Sequence, residues 1–266
     1  MKVVLVSGAN RGIGFEVCRQ LDALGFKVIL CSRNIKNGTK VAVDLSKNVI
    51  VKQLDITDEK SIKALYLFVK QEFGKLDVLI NNAALGASAQ ERMAVESVKR
   101  FIKNRLSTVY QITKKIKPVM GKSYTYNENI VPSNVNLVKA RHLMETNLFG
   151  QWNMIQHFIP LLRKSEAANI INVSSGMGTI NSLSGLYPAY SLSKSSLNAL
   201  TIMLSKELVE QNIKVNAVCP GWVKTDMGGA DAPKTVSEGA DTIVWLANNN
   251  DTETGMFYQD RKIIEW

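Results

Sequence analysis

The order of apolar segments constrains this chain more than any other feature of its sequence. Short runs rich in Val, Ile and Leu alternate with longer segments whose apolar residues recur every three or four positions. The short runs predict strands at Lys2–Val6, Val28–Cys31, Val49–Leu54, Leu76–Ile80, Asn169–Val173, Val215–Val218 and Met256–Tyr258. The longer segments predict helices at Phe15–Leu24, Ser61–Phe73, Val138–Leu162, Ala189–Glu210 and Val236–Leu246. This alternation favours an α/β fold: a single doubly wound parallel sheet with helices on both faces.

The chain is expected to form one domain over residues 1–266. It has no internal repeat and no linker rich in Pro, Gly and Ser, and 266 residues suit a single α/β unit. A ligand should then bind beyond the carboxyl ends of the strands, where the strand order reverses.

One segment, residues 88–134, interrupts the alternation after the fourth strand. Its apolar residues predict an amphipathic helix over Gln90–Lys117, and the segment holds nine basic and three acidic residues. An insertion at the carboxyl end of a strand lies where ligands bind, so we interpret it as a lid over the site. The alternative is a helical pair that packs on the rim of the fold and contributes only burial.

Composition narrows the functional classes. Three cysteines, Cys18, Cys31 and Cys219, match neither a disulfide set nor a zinc pattern, which favours a reducing, cytoplasmic compartment. No apolar run is long enough to span a membrane, no signal peptide is visible, and no metal site is expected. The net charge of +10 could attract nucleic acid, an acidic membrane or an anionic small molecule, or simply reflect a solvated helix face.

A glycine-rich loop follows the first predicted strand and opens the first helix. In Ser7-Gly8-Ala9-Asn10-Arg11-Gly12-Ile13-Gly14, the three glycines suit a tight turn, a close approach of the backbone to a pyrophosphate, and close packing of helix on strand. The free N–H groups at the helix start favour phosphate. The loop therefore predicts a dinucleotide site of the Rossmann type.

The end of the second strand indicates which dinucleotide binds. An NAD enzyme of this architecture places an acidic residue there for the ribose 2′-hydroxyl, but this chain has Ser32-Arg33. A guanidinium suits a 2′-phosphate, and Arg11 could approach the phosphate from the other side. We therefore expect NADP(H) rather than NAD; the alternative is that both arginines are surface residues.

A tyrosine and a lysine four residues apart begin the predicted helix after the fifth strand. Tyr190 and Lys194 should share a helix face, where the ammonium would lower the pKa of the phenol and fit it for acid–base work on a carbonyl or an alcohol. Ser174-Ser175, at the end of the fifth strand, can supply a hydroxyl to the same oxygen. Such a pair also occurs by chance as two helix neighbours, so alone it does not define a site.

Together the motifs resemble those of the short-chain dehydrogenase/reductases over essentially the whole chain. The matching elements, in the family's order and spacing, are Ser7–Gly14, Asp55, Asn81-Asn82-Ala83-Ala84, Asn147, Ser175, Tyr190 with Lys194, and Pro220–Thr225. Two departures keep the chemistry: Ser7 replaces the usual threonine, and Ala84 replaces the usual glycine.

The resemblance implies a role for each matching residue. Tyr190 would be the acid–base group, and Lys194 would lower its pKa and bind the nicotinamide ribose. Ser175, the second serine of its pair, would orient the carbonyl, and Asn147 would interrupt its helix and hold a water linked to Lys194. The remaining cofactor contacts would come from Ser7, Gly8, Asn10, Arg11, Gly12, Ile13, Gly14, Arg33, Asp55, Ile56, Asn81, Ala83, Pro220, Gly221, Val223 and Thr225.

Within the family, three features resemble the NADPH-dependent carbonyl reductases and the plant branch that includes salutaridine and menthone reductases: Arg33, the run Pro220–Met227 and the tail Phe257–Trp266. The leading hypothesis is therefore NADPH-dependent reduction of a ketone or aldehyde. Leu183, Leu186, Tyr187, Trp222 and Met227 favour a hydrophobic substrate. Many members of that branch carry an insertion just before the tyrosine; here only 14 residues separate Ser175 from Tyr190, so the oligomeric state stays open.

Two other functions are compatible with these motifs. The same residues would serve an NADP-dependent alcohol dehydrogenase working in the oxidative direction. A non-catalytic protein that senses nucleotides or binds nucleic acid could use the same fold, but it would not need Asn147, Ser175, Tyr190 and Lys194 together. His142 and His157 have no third partner at ligand spacing, so we interpret them as surface or rim residues, and Cys219 as a buried apolar group.

Overall fold

The computed structural model describes residues 1–86 and 131–266, and these residues form one mostly parallel sheet with helices around it. The strand order is β3-β2-β1-β4-β5-β6-β7-β8, so the order reverses between β1 and β4. The strands are β1 Val3–Val6, β2 Lys27–Ser32, β3 Val49–Gln53, β4 Val78–Asn81, β5 Ala168–Val173, β6 Ile213–Val218, β7 Phe257–Gln259 and β8 Lys262–Ile264. The predicted fold class is confirmed, and each predicted strand is found within a few residues of its expected limits.

Seven α-helices are found within the described ranges. They are α1 Gly12–Ala23, α2 Ile35–Val41, α3 Glu59–Glu72, α4 Leu137–Met144, α5 Gln151–Leu162, α6 Pro188–Leu208 and α7 Val236–Asn248. Helix α2 was not predicted because its sequence, IKNGTKV, has no apolar periodicity. Its start is fixed instead by the Asn34 side chain, which accepts a hydrogen bond from the Lys36 N–H.

The last strand is the one departure from a parallel sheet. Strand β8 runs antiparallel to β7, and the turn between them places Asp260 and Arg261 at φ angles of 52° and 59°. Tight hairpin turns with positive φ angles usually contain glycine, and Asp260-Arg261 has none, so no hairpin was predicted there. Side-chain bonds hold the two residues in place, since Asp260 pairs with Lys234 and Arg261 pairs with Asp241.

Alternate residues of the central strands fill two cores, one on each face of the sheet. Leu5 and Leu79 point to the face covered by α3, α5 and α6, whereas Val4 and Ile80 point to the face covered by α1 and α7. Strands buried on both faces have continuous apolar sequences, which is why the short apolar runs predicted them.

The predicted helix Val138–Leu162 is found as α4 and α5, joined by a π-helical turn over Glu145–Gly150. The predicted helix Gln90–Lys117, most of the basic segment at residues 88–134 and the proposed lid lie outside the described residues. In the part of the chain that is described, no helix is long and apolar enough to cross a membrane.

Candidate active site

The glycine loop turns tightly between β1 and α1, directly against the loop after β4. Gly8 has φ +64°, and a Cβ there would lie 2.7 Å from the Cα of Ala83. A Cβ on Gly14 would overlap the side-chain nitrogen of Asn82 and the carbonyl of Gly8. Any other residue at either position would push the two loops apart. Helix α1 begins at Gly12 without a side-chain cap, which leaves its first N–H groups available to an anion.

Ser7 and Asn82 fasten these two loops together. The buried Ser7 Oγ accepts hydrogen bonds from the N–H groups of Asn82 and Ala83 at 3.0 and 3.1 Å. The Asn82 side chain donates back to the carbonyls of Ser7 and Gly8. Ser7 was expected to contact a cofactor, but in this structure its hydroxyl joins the glycine loop to the loop after β4. This explains why a hydroxyl residue suits the position.

A cleft of about 400 Å³ opens beside the glycine loop at the carboxyl edge of the sheet. It lies at the point where the strand order reverses, as predicted for a ligand site. Eleven of the residues expected to bind a cofactor line it: Gly8, Asn10, Arg11, Gly12, Ile13, Gly14, Arg33, Asp55, Ile56, Ala83 and Thr225. The glycine loop, the free start of α1 and the Arg33 guanidinium are the groups a phosphorylated dinucleotide requires, so the described residues fit such a ligand.

Arg33 and Asp55 lie together at one end of this cleft. Arg33 is exposed, and its charge acts on the Asp55 carboxylate. Asp55 Oδ1 also accepts hydrogen bonds from the Thr57 N–H and hydroxyl at 2.9 and 2.7 Å. Burial alone would raise the pKa of Asp55, but the Thr57 bonds and Arg33 outweigh it and lower that pKa. Asp55 is therefore a fixed anion beside a cation that remains open to the cleft.

Arg11 lines the cleft, where its guanidinium forms an ion pair. Its Nη1 lies 2.6 Å from Oδ2 of Asp226, in the loop after β6, and both side chains are largely exposed. The expectation that Arg11 approaches a 2′-phosphate opposite Arg33 therefore differs from the arrangement seen here. An approach of Arg11 to a phosphate would require this ion pair to open, which costs little because surface pairs contribute only about 0–1 kcal/mol.

Tyr190, Ser175 and Lys194 come together at the start of α6. A side-chain hydrogen bond joins Ser175 to Tyr190, and Lys194 Nζ lies 5.8 Å from the centroid of the Tyr190 ring. The Lys194 ammonium is buried and donates to the Val173 carbonyl at 2.8 Å. Ser174 points elsewhere, because its buried Oγ bonds Asn198 Oδ1 at 2.5 Å. Of the two adjacent serines, Ser175 is therefore the one that faces the tyrosine.

The electrostatics of this cluster differ from the sequence prediction. The pair was expected to give a phenol of lowered pKa, but burial raises the pKa of Tyr190 to about 12, opposed by the hydrogen bond from Ser175. Burial also lowers the pKa of Lys194 to about 8. Burial is the largest cause of both shifts, and the buried Lys194 ammonium is directed at the Val173 carbonyl. Tyr190 is consequently a neutral phenol at neutral pH.

Asn147 lies in the π-helical turn and links the cluster to the cleft. Its Oδ1 accepts from the Leu85 N–H at 2.8 Å, and its Nδ2 donates to the Leu85 carbonyl and to Ser193 Oγ. Ser193 in turn donates to the Tyr190 carbonyl at 2.7 Å. Since Leu85 and Thr146 line the cleft, Asn147 connects the tyrosine helix to the cleft wall through hydrogen bonds. Ser175, Tyr190 and Lys194 are not among the residues that line the cleft. The expected helix interruption at Asn147 is present.

The Cys219 sulfur accepts two hydrogen bonds close to Ser175. Cys219 is buried, as expected, but its Sγ accepts hydrogen bonds from the N–H groups of Gly176 and Gly221 at 3.1 and 3.4 Å. It thus ties the turn after Ser175 to the loop after β6, which contains Pro220, Gly221, Val223 and Thr225. Of these four expected contacts, only Thr225 lines the cleft. Asn81 is fully buried and bonds Asn172, behind the cleft rather than in it.

Several cleft residues were missed from the sequence. His142 and Thr146 project from α4 and the π-helical turn into the cleft wall, and Leu54, Thr57 and Lys224 also line it. His142 was interpreted as a rim residue, and it is an exposed residue of the cleft edge. The π-helical turn over Glu145–Gly150 changes which side chains share one face of the helix. Apolar spacing in the sequence does not show where such a turn begins, so Thr146 was not predicted to face the cleft. Within residues 1–86 and 131–266, no group of three His, Cys, Asp or Glu could hold a metal ion.

Comparisons with known proteins agree with this geometry. The sequence matches the family described as short chain dehydrogenase over residues 2–131 and 127–236. It is 32% identical to (+)-neomenthol dehydrogenase of Arabidopsis thaliana, over 100% of this chain and 98% of that protein. The solved structure of NADPH-bound carbonyl reductase from chicken fatty liver has a TM-score of 0.75 and 28% identity over 100% of both chains. Salutaridine reductase from Papaver somniferum has a TM-score of 0.73 and 27% identity, over 97% of this chain and 99% of that one.

The sheet order, the glycine loop and the tyrosine cluster at its carboxyl edge are thus those of a family matched along most of the chain. The protein belongs to the short-chain dehydrogenase/reductases and is an oxidoreductase of that family.

Proposed function

We propose that this protein is an NADPH-dependent carbonyl reductase that converts a ketone or aldehyde to an alcohol. The proposal is supported by one arrangement: Ser175, Tyr190 and Lys194 lie together, and Asn147 links their helix to Leu85 in the wall of the cleft that contains the glycine loop. A bound reduced nicotinamide would supply the hydride. The chain would supply the position of the carbonyl and the proton that its oxygen needs.

Tyr190 is suited to give that proton. Its pKa of about 12 keeps it protonated at neutral pH, so the phenol can donate to the oxygen as negative charge develops there. The Ser175 hydroxyl, already bonded to Tyr190, can donate to the same oxygen and hold it in place. Lys194, buried and tied to the Val173 carbonyl, supplies positive charge near the transferred proton.

The same residues would also act in the reverse direction. Oxidation of an alcohol requires Tyr190 to accept a proton, and a phenol with a pKa of about 12 is rarely ionised at neutral pH. A neutral phenol is the form that reduction uses, but the site accelerates both directions, so the ratio of reduced to oxidised cofactor sets the net direction.

The cofactor proposal rests on Arg33. It stands at the end of β2, open to the cleft, in the position where an NAD enzyme would carry an acidic residue. A guanidinium there can bind a 2′-phosphate with two hydrogen bonds. The phosphate dinucleotide is therefore proposed over NAD.

A hydrophobic carbonyl compound is the proposed substrate class. Large apolar side chains stay exposed on the loops that follow β5 and β6, namely Ile180, Leu183, Trp222 and Met227. These loops flank the tyrosine cluster, and apolar surface left in water at such a place favours an apolar ligand. The chain is proposed to act as one domain of this kind over residues 1–266.

Replacement of Tyr190 tests the proposal. A panel of ketones, aldehydes and quinones is mixed with wild-type protein and NADPH. With some of these compounds the absorbance of NADPH should fall, because the cofactor is oxidised. Tyr190→Phe should lower kcat by about 10²–10⁴-fold, because the general acid is lost while the ring remains. Tyr66→Phe is the matched control, since Tyr66 packs its ring against Phe158 in the core. Wild-type rates in Tyr190→Phe on a good substrate would refute the proposal.

A further inference from the structure

The turn that carries Ser175 is held from two sides. On the strand side, the Ser174 N–H donates to the Val218 carbonyl at 2.7 Å, and the Gly176 N–H donates to Cys219 Sγ. On the helix side, a Cβ on Gly178 would lie 2.8 Å from the backbone carbon of Lys194, so the turn rests directly on α6. The Ser175 side chain is hydrogen-bonded to Tyr190, whereas the contacts that hold the turn against β6 and α6 come from its neighbours Ser174, Gly176 and Gly178.

One side chain of α6 bonds both ends of this turn. Asn198 Oδ1 accepts from Ser174 Oγ at 2.5 Å, and Asn198 Nδ2 lies 3.4 Å from the Gly178 carbonyl. Asn198 and Ser174 are each only 3% exposed, so water does not compete for these bonds. Ser195 Oγ adds a bond to the same Gly178 carbonyl at 2.9 Å. The neighbours of Ser175 are thus fixed to the helix that carries Tyr190 and Lys194.

We propose that Asn198 is a positioning residue that sets the place of the Ser175 hydroxyl relative to Tyr190. It touches neither the tyrosine nor the cleft, and it acts through Ser174 and Gly178 on either side of Ser175. The inference rests on the proposed function, because the position of Ser175 matters only if Ser175 and Tyr190 act on one oxygen. Reactive groups misplaced by about 1 Å can lose about 10²-fold in rate.

The test is a cycle of variants at Asn198 and Ser175. Asn198→Ala should lower kcat for a carbonyl substrate by about 10- to 100-fold and leave the dissociation constant of NADPH unchanged. In a Ser175→Ala background, the same substitution should lower kcat by less than about twofold, because the hydroxyl it positions is already absent. Losses that multiply in the double variant would overturn the proposal.

The separation of kcat from KM gives a readout that a purely structural role would not move in this way. Asn198→Ala and Ser175→Ala should lower kcat by similar factors and change the KM for the carbonyl substrate far less, because both variants lose the same alignment of the Ser175 hydroxyl. A loss confined to KM in Asn198→Ala, or a loss of kcat much larger than that in Ser175→Ala, would contradict the proposal.

Two further variants guard against a simple loss of folding. Ser174→Ala removes the same bond from the other partner with little change in volume, and it should show the same dependence on Ser175. Asn216→Ala is the matched control: Asn216 is buried and bonds the Glu253 carbonyl and the Met256 N–H, away from the turn. It should lower the melting temperature and leave both kcat and the KM for the carbonyl substrate unchanged. If Ser174→Ala lowered kcat by the same factor in the wild-type and the Ser175→Ala backgrounds, the proposal would be contradicted.

Amide hydrogen exchange separates this inference from the proposed function. Residues 176–179 should exchange faster in Asn198→Ala than in wild type, whatever reaction the protein catalyses. If wild-type protein reduces no carbonyl but the turn loosens, the proposed function fails and the structural part of the inference stands. If the protein is an active reductase and the turn exchanges at the wild-type rate, the inference alone fails.

Discussion

At the scale of single residues, the clearest test concerns Arg33 and the choice of cofactor. Arg33→Asp should weaken NADPH binding by at least about 10- to 100-fold, because a charge-assisted bond of about 1.5–3 kcal/mol is lost and a repulsive charge is gained. NADH binding should be retained, since a carboxylate there can accept from a ribose 2′-hydroxyl. Dissociation constants for both dinucleotides, from fluorescence titration, give the answer.

The control for this prediction changes the same charge elsewhere. Arg163→Asp alters an exposed arginine that bonds only Gln211 among the contacts seen, at the far end of α5. It should leave the preference for NADPH intact. An unchanged ratio of NADPH to NADH affinity in Arg33→Asp would remove Arg33 from the phosphate site.

Single residues also show what sequence alone could not supply. The spacing of Tyr190 and Lys194 predicted their proximity, but the direction of the Tyr190 pKa shift depends on burial, which spacing does not report. Asn198 gave no signal, because its partner Ser174 lies 24 positions away and on another element. Arg11 was predicted at the cleft, where it lies, but its partner Asp226 is 215 positions distant.

At the scale of elements, the π-helical turn between α4 and α5 is the feature that places Asn147. Gly150 ends this turn, and a Cβ there would lie 2.8 Å from the Ile56 carbonyl and 3.0 Å from its side chain. Gly150→Ala should therefore push the helix away from the loop after β3. We expect a loss of about 1–3 kcal/mol in the free energy of unfolding, because this contact has no room for a methyl group.

The same substitution should also weaken dinucleotide binding, because Ile56 lines the cleft. Urea unfolding and NADPH titration measure the two effects. Wild-type stability in Gly150→Ala would show that the contact between the two segments relaxes at no cost. Helix α2 and strand β8 escaped prediction because capping and strand pairing form them. The interruption at Asn147 was expected only from the family resemblance. Apolar runs and apolar periodicity predicted the other strands and the long helices.

At the scale of the whole molecule, the candidate site lies at the carboxyl edge of the sheet. A separate group of hydrogen bonds around the Asp77 carboxylate, here called the Asp77 clamp, lies at the amino edge. Asp77, just before β4, is 3% exposed. Its carboxylate accepts from the Val3 N–H at 2.7 Å, the Ser165 hydroxyl at 2.5 Å and Lys75 Nζ at 2.9 Å. One side chain thus joins β1, β4 and the segment before β5. The general fold could be predicted because the apolar runs define the strands of the sheet. Polar contacts at its edge, such as those of Asp77, stabilise that sheet but do not determine its strand order.

Asp77 should set part of the acid stability of the protein without affecting catalysis. Burial opposes its ionisation, but the bonds from Ser165, Val3 and Lys75 outweigh it and lower the pKa of Asp77 in the folded state. The stabilisation is therefore complete above the pKa of an unfolded aspartate, about 3.9, and is lost as pH falls through the lower folded value. Asp77→Asn should cost about 1–3 kcal/mol at neutral pH, measured by urea unfolding.

The difference in stability between Asp77→Asn and wild type should shrink below about pH 4, because wild-type Asp77 is then protonated too. Reduction kinetics should match the wild type at neutral pH, since the clamp and the cleft lie at opposite edges of the sheet. Asp231→Asn, at an exposed position, is the control and should change neither property. A stability difference that stays constant from neutral pH down to acid unfolding would show that the charge of Asp77 contributes nothing, and that only its shape matters at this edge.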